Sequence, residues 1–98
     1  MEKVLVEIEE YVKNAREIPK EDVIYKFKVG SKTCESEFAV INGREILTKA
    51  NLLPPEMYQL NQHLRGGNVV PVELDQQVDL SEHGIERFSY LRKDSTEG

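Results

Sequence analysis

Between Val23 and Val29 the chain alternates without a break: Val23, Tyr25, Phe27 and Val29 fall on one side, Ile24, Lys26 and Lys28 on the other. Successive side chains on a strand project to opposite faces, so this run predicts a strand buried on one face. Gly30-Ser31-Lys32 follows as a turn, and Thr33 to Phe38 reads as a second, more polar strand that closes a hairpin. On it, Cys34, Ser36 and Phe38 share one face and Glu35 and Glu37 the other. A half-buried hairpin needs a cover. Asn42 to Asn51 supplies one: Asn42 is a good N-cap, Glu45 stands at capping-box spacing, and Ile46, Leu47 and Ala50 form the apolar face. Pro54-Pro55 closes that helix.

Beyond the prolines, Tyr58 to Leu64 alternates again as a third strand. Arg65-Gly66-Gly67-Asn68 is turn chemistry. Val69 to Leu74 is a short fourth strand that Pro71 marks as an edge, since proline cannot donate to a ladder. Residues 75–81 read as a loop with room for a helical turn, and Glu86 to Leu91 is the last strand. One helix over a four- or five-stranded mixed sheet is an α+β roll, and a hairpin joined to its third strand through one helix is the connection a β-grasp uses.

The N-terminal stretch follows a different period. Val4, Ile8, Tyr11, Val12 and Ala15 recur at spacings of three and four, so residues 3–18 are expected to form an amphipathic helix ended by Pro19. It would either pack on the domain or serve as a handle for a partner groove. The expected organisation is thus a helical extension over 1–22, a domain over 23–93 and a tail over 94–98. Nothing in Asp94 to Gly98 can bury apolar surface, which predicts a mobile tail ending in glycine.

Net charge is −5, which argues against binding a nucleic-acid backbone. The single cysteine, Cys34, allows no intramolecular disulfide, and the start of the chain has no signal-peptide pattern. Together these point to the cytoplasm. Apolar runs are too short for a membrane helix.

Four stretches carry a family likeness: Gly43-Arg44-Glu45-Ile46-Leu47; Pro54-Pro55-Glu56-Met57-Tyr58-Gln59-Leu60; Leu74 to Leu80 followed by Gly84-Ile85-Glu86-Arg87-Phe88; and Asp94-Ser95-Thr96-Glu97-Gly98. In this order the chain resembles the multiubiquitin-domain class of bacterial ubiquitin-like proteins. Ile8-Glu9-Glu10-Tyr11-Val12 also resembles a leader seen ahead of the domain in some members. The resemblance implies a ubiquitin-like β-grasp encoded with a cognate activating enzyme, a conjugating enzyme and a JAB-type metalloprotease, in systems linked to anti-phage defence. It also implies that the carboxyl of Gly98 is adenylated with ATP, passed to a cysteine as a thioester and transferred to covalent target proteins. Arg92, Lys93, Asp94, Ser95, Thr96 and Glu97 would be the segment threaded into the activating enzyme or protease. Family precursors often continue past this glycine and need trimming. The ending Glu97-Gly98 departs from a double glycine, and the family often carries such domains in tandem.

No other chemistry emerges from the residues. Cys34 lies in a strand with no group to lower its pKa, which favours a structural role. His63 and His83 with one cysteine do not make a metal site, and no cofactor motif is present. The chain therefore reads as a substrate of enzymes rather than as an enzyme, with no membrane or nucleic-acid partner. Tyr58, Leu60 and Gln62 on the third strand, with Tyr90 on the last, are candidates for an exposed partner surface, while Phe88 is expected in the core. Two other functions fit the same fold: a sulfur carrier using a thiocarboxylate, and a binding module that is never conjugated.

Overall fold

A computed structural model describes residues 3–19, 21–82 and 84–93. In chain order the elements are β1 (Val4–Glu7), α1 (Ile8–Lys13), β2 (Val23–Val29), β3 (Lys32–Ser36), β4 (Val40–Asn42), α2 (Gly43–Lys49), a 3-10 turn (Pro55–Met57), β5 (Tyr58–Leu64), β6 (Val69–Val72), β7 (Gln77–Asp79) and β8 (Ile85–Arg92). The main sheet is mixed. It runs β1-β2-β8-β5-β6, with β3 on the other edge of β2, and β4 pairs with β7 in a small separate sheet. With α2 packed against it, this is an α+β arrangement compatible with a β-grasp.

The alternation in β2 sets the inside and outside of the sheet. Val23, Tyr25, Phe27 and Val29 are buried, as are Leu60 on β5 and Phe88 on β8, and Ile46 and Leu47 of α2 join them in one core. Phe27 and Phe88 meet edge to face, with ring centroids 5.7 Å apart. On the opposite face Ile24, Lys26, Lys28, Asn61, His63, Arg87 and Ser89 all keep solvent contact. The hairpin turn holds Gly30 at φ +62° under the ring of Tyr90, where a Cβ would sit 2.8 Å from Cε1. That position suits a residue free of both the side chain and the left-handed penalty.

The N-terminal segment corrects the expectation of a helix over 3–18. Residues Val4–Glu7 are instead a strand parallel to β2, in the register Val4↔Val23 to Glu7↔Lys26. The reason lies in β2. Its pairing with β8 is confined to Val29↔Phe88, so the backbone groups of residues 23–26 on that edge need another partner. Three consecutive aliphatic residues, Val4-Leu5-Val6, supply it. Helix forms only over Ile8–Lys13, and Ala15, at φ +55°, lies beyond its end. Val6, Ile8, Val12 and Ile18 are buried in the same core as Phe27 and Phe88, so the extension is part of the body of the domain.

Two smaller differences concern loops. The run after Leu74 contains β7, paired to β4 in the register Val40↔Asp79, Ile41↔Val78, Asn42↔Gln77. Three-residue strands are too short for any periodicity to reveal. Phe38, expected to share a face with Cys34 and Ser36, is 71% exposed while those two are buried, because β3 ends at Ser36.

Candidate functional site

The site that the sequence points to begins where β8 ends. β8 lies between β2 and β5, and pairs with β5 from Leu64↔Ile85 to Tyr58↔Arg92, with an irregularity at His63/Leu64. Lys93 is the last described residue. Its N–H donates to the Met57 carbonyl at 2.7 Å, which ties the chain to the 3-10 turn at the point of departure. Leu91, Arg92 and Lys93 are exposed there. Asp94, Ser95, Thr96, Glu97 and Gly98, four members of the expected threading segment and the expected conjugation residue, lie outside the described residues, as does His83.

The candidate partner surface is placed differently. The register Leu60↔Tyr90 puts Tyr58, Leu60, Gln62 and Tyr90 on the α2 side of the sheet, not on its open face. Leu60 is 1% exposed and belongs to the core, which removes it from any partner surface. Tyr58 and Tyr90 are half-buried and meet edge to face at 5.8 Å. Alternation distinguishes two faces without saying which is covered, and here the covered one carries these four. The open face presents Gln59, Asn61 and His63 from β5 beside Arg87 and Ser89 from β8. His63 Nε2 and Ser89 Oγ are 2.7 Å apart, and Arg87 faces Glu9 of α1 at 3.9 Å.

Other residue types singled out from the sequence fall into structural roles. Cys34 is buried, and that burial pushes its thiol pKa up despite Lys49 and Lys32 nearby. A raised pKa means less thiolate and a poorer nucleophile. Among the described residues no three of His, Cys, Asp and Glu come together as a metal site. Gly66 and Gly67 sit at φ +96° and +91° in the exposed turn between β5 and β6, where Gly67 N–H donates to Leu64 C=O at 3.1 Å. No helix among the described residues is long and apolar enough to cross a membrane.

The family model for multiubiquitin matches residues 25–93. The chain belongs to the multiubiquitin family. No curated protein and no solved structure matches it. The multiubiquitin match starts inside β2, at Tyr25, and ends at Lys93, where β8 releases the chain. β1 and α1 therefore lie outside the matched span, although they complete its core. Sequence reasoning missed two features of this domain: the β4–β7 pair, and the way Gly43 and Arg44 bind the start of α2. Gly43 N–H donates to Gln76 C=O at 3.2 Å and Arg44 N–H to Leu74 C=O at 2.9 Å. Both glycine and arginine stand in the stretch that carries the family likeness, which was the available signal.

Proposed function

We propose that this multiubiquitin-family domain is a ubiquitin-like protein modifier, conjugated through the carboxyl of Gly98. A cognate activating enzyme adenylates that carboxyl with ATP. The acyl group then moves to a cysteine of the activating enzyme, to a conjugating enzyme and finally to a nucleophile on a target protein. A JAB-type metalloprotease trims or removes it. The domain itself is then the substrate of these enzymes and carries no catalytic residue. A cytoplasmic setting and a role in anti-phage defence complete the reading.

The observation that carries it is the family match over residues 25–93, which ends at the residue where β8 releases the chain toward Gly98. A C-terminal glycine favours threading, because a residue without Cβ allows a reactive centre to approach the backbone closely. The test mixes the protein with its cognate activating enzyme and ATP, then reads thioester formation on a non-reducing gel. Removal of Gly98, or Gly98→Ala, is expected to abolish the thiol-sensitive adduct. Undiminished adduct without Gly98 would sink the proposal.

A further inference from the structure

β1 is an outermost strand of the main sheet, and among the described residues it pairs with β2 alone. Its phase on β2 is set by the Val4 N–H, which donates to the Asp22 carbonyl at 2.8 Å. Backbone groups of successive residues point to opposite sides of a strand, so Val4 and Val6 bond to β2 while those of Lys3, Leu5 and Glu7 point away from it. The Glu7 carbonyl is taken by the first turn of α1, which leaves its N–H. This edge is not blunted as β6 is by Pro71, which removes a donor. It is apolar on both faces: Val4 is 53% and Leu5 52% exposed, while Val6 beside them is fully buried.

The strand is also complementary to its own reverse. When Leu5 is set opposite Leu5 of an antiparallel second copy, Val4 falls opposite Val6 and Lys3 opposite Glu7, each twice. The residues with outward-pointing backbone groups then meet one another, as a hydrogen-bonded pair requires. Lys3, Leu5 and Glu7 share one face, so two ion pairs flank the two leucines. That face is the open one, because Leu5 and Glu7 stand beside Ile24 and Lys26. Other registers fit less well. A shift of one residue sets outward groups against inward ones, and a shift of two puts Leu5 opposite a charge. The surrounding charges do not oppose the pairing. Lys26 lies behind Glu7, and Glu9 is held by Lys13 and Arg87. Lys3 reaches Glu37 at 3.8 Å with both side chains well exposed, a contact that costs little to lose.

We infer that β1 pairs with β1 of a second copy of this chain, antiparallel and centred on Leu5, so that the two main sheets join into one across a twofold axis. Leu5 exchanges both of its main-chain hydrogen bonds with Leu5 of the second copy, and each Glu7 N–H donates to the Lys3 carbonyl across the axis. The same patch serves on both sides, which is the form a twofold contact requires. Strands this short bury less than a standard interface, so the dimer is weak and reversible. It sets the two open faces side by side on one surface of the joined sheet. The inference does not rest on conjugation, and a chain lacking Gly98 is expected to dimerise equally well.

The test is sedimentation equilibrium of the whole protein from micromolar to millimolar concentration, with amide NMR shifts followed over the same range. Mass is expected to rise towards that of a dimer, and the Leu5 and Glu7 amides to shift with concentration. Lys3→Glu or Glu7→Lys alone sets like charges opposite each other twice, and each is expected to weaken association about tenfold. An equal mixture of the two single variants restores opposite charges at both pairs and is expected to recover the original affinity as a heterodimer, which a merely structural role for either residue would not produce. Leu5→Pro removes an N–H that β2 does not use, and is expected to abolish association while thermal unfolding stays cooperative. The inference is overturned by a monomer at millimolar concentration, by concentration-dependent shifts centred on β3 or β6, by association that survives Leu5→Pro, or by a mixture that associates no better than its parts.

Discussion

The two α-helices among the described residues are of nearly equal length and are held by different means. α2 is defined at its own start. Asn42 Oδ1 accepts the Glu45 N–H at 2.8 Å, and Glu45 Oε1 accepts the Asn42 N–H at 2.9 Å, a complete capping box. Backbone carbonyls of Leu74 and Gln76 take the next two donors, and Arg44 links Glu56 to Asp75. α1 has none of this. Glu7 at its N-cap makes no side-chain cap bond, and a six-residue helix has almost no stability of its own. It exists because Ile8 and Val12 are fully buried, helped at the surface by Glu9 between Lys13 and Arg87. A helix whose start is tied by its own cap and by a neighbouring loop survives a change beneath it better than one that depends wholly on what lies beneath.

The strongest way to break this contrast is to delete residues 1–18. Four buried side chains go with them: Val6, Ile8, Val12 and Ile18. At about 1.5–3 kcal/mol for each buried aliphatic side chain, the loss rivals the whole stability of a domain this size. The shortened chain is expected to show no cooperative thermal transition by circular dichroism, even though it retains the entire multiubiquitin match. A sharp transition near that of the full chain would show that α1 is a dispensable addition.

Next in size is Gly43→Ala. A Cβ there would lie 2.4 Å from the Glu73 carbonyl oxygen, a backbone atom with no easy way to yield. A cost of about 3 kcal/mol is expected in urea unfolding, since overpacking against rigid backbone typically costs 1–3 kcal/mol or more. A change under 1 kcal/mol would mean that the loop over α2 moves freely. Asn42→Ala removes the capping box and is expected to cost about 1 kcal/mol. The mirror change, Glu7→Asp, offers α1 the cap it lacks on a backbone already extended at φ −86° and is expected to gain about 0.5 kcal/mol. If both substitutions are neutral, caps do not distinguish the helices.

The smallest effect is electrostatic. The hydrogen bond and charge of Arg44 hold the Glu56 carboxyl below its usual range. A depressed folded-state pKa stabilises above the ordinary carboxylate value and loses that contribution as pH falls through the depressed one. Glu56→Gln is therefore expected to flatten the acid limb of a Tm-against-pH curve slightly, and to leave the plateau above it almost unchanged because the pair is exposed.

The same contrast explains what could be read in advance. β2 and β5 were legible to the residue, because an unbroken alternation of seven residues has one interpretation. α2 was legible because its signals are local: a cap, a capping partner, an apolar face and a proline stop. The stripe through Val4, Ile8, Tyr11, Val12 and Ala15 was real, but its meaning was decided by an empty edge of β2 that no local pattern reports. The same limit put Leu60 among the partner-surface candidates, although its face of β5 is the one the core covers. Phe38 was misread because the alternation of β3 stops two residues before it. At the candidate site the family likeness pointed to Gly98, while the hydrogen bond from Lys93 to Met57 depends on the fold.

That last bond sets a radius. From Lys93, tied to Met57, the five residues Asp94 to Gly98 can reach ~18 Å when fully stretched. Any catalytic centre acting at Gly98 must come within that leash of the end of β8. The rim around it, formed by Met57, Tyr58, Leu91 and Arg92, would then be drawn against the enzyme whatever the target.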